Sequence, residues 1–176
     1  MSLSKLVSSL LSDSKTFLFL ARDASRKDQN VLVFTYSRAV FFSAWSALEG
    51  WINYIAHSFA DAASSLSEYE ISFLKEKKIM VDEDGILRIT EQDEYRPTLT
   101  KLVFILRKFG DNFDLKHSLP DLWRRLKEIE KIRHSIVHPK TRDEELNIEL
   151  DDAANCYTTV IELVDLLKEQ IYERHT

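Results

Sequence analysis

PDLWRRLKEIEKIRHSIVHP, residues 120–139, reads as a single amphipathic helix with a proline at either end. Leu122, Leu126, Ile129, Ile132, Ile136 and Val137 supply its apolar positions at helical spacing. Pro120 suits a first helical turn, with Ser118 before it as the expected cap, and Pro139 cannot continue the helix. At about 100° per residue, Arg133 falls inside the same stripe as the isoleucines. A charge on a face that meets a core or an interface needs a partner. Either an acid from another helix supplies it, with Glu49 one candidate, or the position is an anion site.

The flanking sequence extends the helical reading in both directions. A first helix is expected from about Leu3 to Ala24, a polar break over residues 25–30, and a second helix from about Asn30 to Ala62. The second carries Phe34, Tyr36, Phe41, Phe42, Trp45, Trp51, Tyr54 and Phe59, an aromatic load that reads as core. Ser67 and Glu70 have capping-box spacing and open a short helix to about Lys77. The period then changes. Ile79, Val81, Leu87 and Ile89 flank an Asp-Gly turn, which predicts a small hairpin or extended loop near residues 79–90. Pro97 opens the next helix, with Leu99, Leu102, Val103, Ile105, Leu106 and Phe109 as its apolar positions and Gly110 as a left-handed terminator. A last helix runs from about Asp151 to Glu173. The expected architecture is all-α: one domain over residues 1–176, an antiparallel bundle of five or six helices with a hairpin excursion.

Composition fits that reading. A hydrophobic fraction of 44% beside 30% charged residues belongs to the ordinary globular range, and three glycines with three prolines leave few turn makers. The lone Cys156 excludes an internal disulfide, points to a reducing, cytoplasmic setting, and reads as a buried structural thiol. The N-terminal stretch lacks the form of a signal peptide. Residues 31–56 are long enough to span a bilayer but hold Arg38 and Glu49, so a buried central helix is expected instead and no membrane association. The net charge of −5 hides a basic region: between Asp121 and Arg142 seven basic side chains, Lys131, Lys140 and Arg142 among them, face three acidic ones. That region either attracts a polyanion or is a solvated face of local ion pairs.

The end of the segment concentrates the chemistry. Arg133, His134, Ser135 and His138 bring a cation, two imidazoles and a hydroxyl into six residues. Guanidinium binds phosphate through a planar fork of donors, and imidazole moves protons near neutral pH. Arg133 and His138 are five apart, about 140° around an ideal helix, so they would not share a face. A turn before Pro139, or a second copy of the helix across a two-fold axis, could unite them. His134 and His138 do share a face, as zinc ligands can, but Ser135 stands where a metalloprotease motif has Glu. No metal site and no cofactor is expected.

The Arg-x4-His string at the end of an amphipathic helix, with a polar residue after the arginine, Pro139 after the histidine and a long helix beyond, resembles the signature of the HEPN superfamily. The Trp45-to-Asn53 stretch on an early helix fits the same pattern, and the likeness covers most of the chain; the Leu74-to-Arg88 excursion departs from the minimal HEPN core. The resemblance implies a homodimer and a metal-independent endoribonuclease leaving 2′,3′-cyclic phosphate and 5′-hydroxyl ends, as a toxin or defence effector. It implies catalytic roles for Arg133 and His138, with His134 orienting the phosphate or His138. Glu49 and Ser135 support them, and Lys131, Lys140 and Arg142 would bind RNA. The alternative is a non-catalytic HEPN dimer that binds nucleotide, RNA or a protein partner, such as an antitoxin or a nucleotidyltransferase-type protein.

Overall fold

The structure, a computed structural model, describes residues 5–137 and 147–171. Its described elements are α1 (Lys5–Arg26), α2 (Asn30–Ala62), α3 (Glu68–Lys75), β1 (Lys77–Val81), β2 (Leu87–Asp93), α4 (Thr98–Phe109), α5 (Leu115–Ser118), α6 (Pro120–Val137) and α7 (Leu150–Ile171). The protein is all-α apart from one two-stranded hairpin. The expected start of the first helix at Leu3, the stop at Pro139 and the end of the last helix at Glu173 lie outside the described residues. Two compact units contain the elements: residues 1–50 with 115–176, and residues 51–114. Helix α2 is continuous through the boundary at Gly50 and Trp51.

In the first unit, α1 buries Val7, Leu11, Ser14, Leu18, Ala21 and Ala24, steps of three or four that keep one face inward. The Ser14 hydroxyl donates to the Val40 carbonyl of α2 at 3.1 Å, and Gly50 sits against Val7. Helix α7 contributes Ala153, Cys156, Val160, Leu163, Val164 and Leu167 to the core and packs on both α1 and α6. Burial pushes the Cys156 thiol up to about 12, so it stays protonated and inert near neutral pH, as the sequence suggested. By length and apolarity α2 could cross a membrane. Within it Val40, Phe41, Ala44, Ala47 and Leu48 are wholly covered by protein, and 39% of the apolar window is buried. Of the aromatics read as core, Phe41, Trp45 and Trp51 are buried, Phe34, Tyr36, Tyr54 and Phe59 are half-buried, and Phe42 is 43% exposed.

In the second unit, Ser67 and Glu70 form the expected capping box. The Ser67 amide donates to Glu70 at 2.8 Å, and the Glu70 amide donates back to the Ser67 hydroxyl. Lys108 and these Ser67 bonds hold the Glu70 carboxyl down at about 2. The hairpin is longer than the pattern near residues 79–90 suggested, with Lys77 already opposite Asp93 and an irregularity between Lys77 and Ile79. Asp82 closes its turn by accepting from the Asp84 and Ile86 amides and pairing with Arg88, while Gly85 takes the positive φ of 78° that the turn demands. Phe59 stacks on Phe109, centroids 3.8 Å apart, joining the end of α2 to the end of α4.

Two helix ends differ from expectation. Ser118 closes the four-residue α5 rather than capping α6; Leu119 stands at the entry instead, its carbonyl accepting from the Trp123 amide at 3.0 Å. Gly110 ends α4 with φ −109°, outside the left-handed region, which Asp111 and Asn112 occupy at 57° and 59°. Glycine is needed at 110 for space: a Cβ there would lie 2.6 Å from the Leu106 carbonyl oxygen. Gly110→Ala is therefore expected to destabilise the protein by about 1–3 kcal/mol. Asp111→Gly should be neutral or stabilising, because it relieves a positive φ. Urea unfolding of both variants checks this.

Candidate functional site

Helix α6 carries the site because its sequence puts leucine and isoleucine on one side only. Leu122, Leu126, Ile129 and Ile136 are buried, Ile132 of the same stripe is half-buried, and Val137 is 42% exposed. Arg133 lies at the margin of the buried stripe, and its Nη2 approaches Oε1 of Glu49 on α2 at 3.5 Å. Both side chains retain 27% exposure. The acid from another helix that the sequence called for is thus Glu49. The contact is longer than the roughly 2.7–2.9 Å of a charge-assisted hydrogen bond, so this is not the bidentate fork a guanidinium can form.

His134, Ser135 and Lys131 lie on the exposed side of α6. The Ser135 hydroxyl donates to the Ile132 carbonyl of its own helix at 2.8 Å, a back-bond that occupies the proton. His138, Lys140 and Arg142 lie outside the described residues. Arg133 and Glu49 are therefore the two predicted site residues brought together, with His134 adjoining Arg133 in sequence on the outer surface. Among the described residues, no group of three or more His, Cys, Asp or Glu is arranged around a metal position.

The basic region of α6 is largely paired. Arg124 meets Asp121 at 2.8 Å, Lys127 meets Glu130 at 2.5 Å, and Arg125 reaches Thr159 and Glu162 of α7. Exposed pairs of this kind contribute up to about 1 kcal/mol each, so an incoming phosphate can compete for the cations. Arg125 instead fastens α6 to α7. Sequence reading missed one feature of the helix's outer face. Trp123, partly exposed, has the ammonium groups of Lys116 and Lys127 at 5.0 and 6.0 Å from its ring centroid.

Compared with known families, the chain matches the sequence model described as RiboL-PSP-HEPN over residues 4–173. No curated protein and no solved structure matches the chain.

Proposed function

The chain belongs to the RiboL-PSP-HEPN family, a HEPN family, and on that premise we propose that it is a metal-independent endoribonuclease working as a homodimer. The observation that carries the reading is Arg133: a guanidinium at the margin of the α6 core stripe, held by one 3.5 Å contact to a partly exposed carboxylate. It is steered by Glu49 yet has donors left for a phosphate. In the proposed reaction the ribose 2′-oxygen attacks phosphorus as His138 takes its proton. The bond to the 5′-oxygen breaks and an imidazolium protonates that oxygen, leaving a 2′,3′-cyclic phosphate and a 5′-hydroxyl. Arg133 offsets the charge that builds on the phosphoryl oxygens. His134 orients the phosphate or His138, Ser135 supports the helix end, and Lys131, Lys140 and Arg142 draw in the RNA backbone.

The setting that goes with this chemistry is cytoplasmic, away from membranes, as a toxin or defence effector. An antitoxin or a nucleotidyltransferase-type protein would be its neutralising partner. A second reading has one specific observation in its favour. An arginine already paired with Glu49 also suits a non-catalytic dimer that binds nucleotide, RNA or protein.

Incubating a mixed RNA pool with the purified protein in EDTA separates the two. Cleavage leaving cyclic-phosphate ends is the expected result. Intact RNA after incubation with a folded, dimeric protein would defeat the nuclease reading and leave the binding one.

A further inference from the structure

We infer that Trp123, with Lys116 and Lys127, forms a subsite that stacks one unpaired base of an RNA strand whose phosphate lies at Arg133. The inference rests on the proposed RNA reading and adds to it a preference for single strands. Trp45 and Trp51 are buried, at 3% and 0% exposure, so Trp123 is the tryptophan that reaches the surface. It is not needed to build the core stripe of α6, which Leu122, Leu126 and Ile129 fill. Instead its ring holds two ammonium groups, one from α5 and one from the next turn of α6. Both lysines are exposed, and Lys127 is also paired with Glu130.

An aromatic ring flanked by cations has the two components by which proteins grip single-stranded nucleic acid: a stacking surface for a base and positive charge for the phosphates beside it. Lysine ammoniums sit on flexible stems, so a base can replace them against the indole while they turn to phosphate oxygens. The cluster is also in line with the motif. Trp123, Lys127, Lys131 and His134 recur at i, i+4, i+8 and i+11, one face of α6. Trp123 and Arg133 are ten residues apart on that helix, about 15 Å along its axis, a span that a few nucleotides bridge. A duplex keeps its bases stacked on each other and offers the ring nothing.

The test uses the full chain carrying His138→Ala to prevent turnover, with a fluorescein-labelled single-stranded RNA of about 12 nucleotides and the matching blunt duplex. Trp123→Leu is expected to weaken the single strand about ten-fold and leave duplex affinity unchanged, whereas Trp123→Phe stays within about two-fold of the parent. RNA should quench the intrinsic tryptophan fluorescence of the parent and not that of Trp123→Phe. Lys116→Ala with Lys127→Ala, two surface changes that spare the fold, should reduce the salt slope of binding by about one to two. Single-strand affinity unchanged in a folded Trp123→Leu protein, beside a His138→Ala parent that binds RNA and an unsubstituted protein that cleaves it, would overturn the subsite alone and leave the cluster as packing or a protein contact. A His138→Ala parent that does not bind RNA, beside an unsubstituted protein that does not cleave it, would overturn the proposed function, and the subsite with it.

Discussion

Changing His138 to alanine is expected to lower RNA cleavage in EDTA by about 10²–10⁴-fold, the range in which a positioned proton donor or acceptor contributes. Arg133→Ala should cost about 10²–10³-fold, as removal of one preorganised charge-stabilising group does. Arg133→Lys should recover little, because an ammonium presents a point charge where a planar fork is wanted. The arginine variants are interpretable because of their surroundings. Removing the guanidinium takes one 3.5 Å contact from Glu49, but that carboxylate is 27% exposed and can turn to water. Folding stability should therefore barely move, and any loss of rate belongs to chemistry. Cleavage by His138→Ala at the parental rate, with identical ends, would show that the activity comes from elsewhere in the sample or from other residues.

How far the sequence alone could carry this reading differs from element to element. The long helices were legible because their apolar residues repeat at a single period, and the capping box at Ser67 and the turn at Gly85 because each depends on local chemistry. Tertiary geometry was not legible. Gly110 looked like a left-handed cap, yet what singles it out is that a Cβ there would crowd a carbonyl one turn back, which no local pattern encodes. At the site, Arg133 and its acid Glu49 could be matched by asking which buried-phase charge needs which partner. Trp123 stands about 100° round the helix from Leu122, off the leucine stripe, a phase that the sequence shows but that says nothing of which cations gather at the ring. The same question of phase would have exposed Lys101, which lies on the buried face of α4 between Thr98 and Ile105 and cannot sit there unpaired.

Glu76→Ala should destabilise the protein by about 2–3 kcal/mol, whereas Lys101→Met should cost well under half of that, although both break one ion pair. Lys101 has only 3% of its side chain exposed, and its ammonium lies 3.0 Å from Glu76 and bonds the Asn53 side chain. Without Glu76, a buried cation keeps only a neutral amide, and an uncompensated charge away from water is the expensive case. Without Lys101 the charge left behind is Glu76 itself, 27% exposed and able to hydrate, while methionine fills the vacated volume. Glu76 is also the hinge on which α3 gives way to the hairpin. It takes a left-handed φ of 51°, its carboxylate accepts from the Arg96 amide at 3.0 Å, and its carbonyl accepts from the Glu94 amide at 2.7 Å. A non-glycine residue in that region persists when its neighbours over-determine it. The alanine variant keeps the strained backbone and loses the side chain that holds it. Thermal unfolding should register the difference as a drop of about 4–12 °C for Glu76→Ala against a few degrees for Lys101→Met. Equal losses would mean that the pair's mutual attraction, rather than the desolvation of Lys101, dominates at this position.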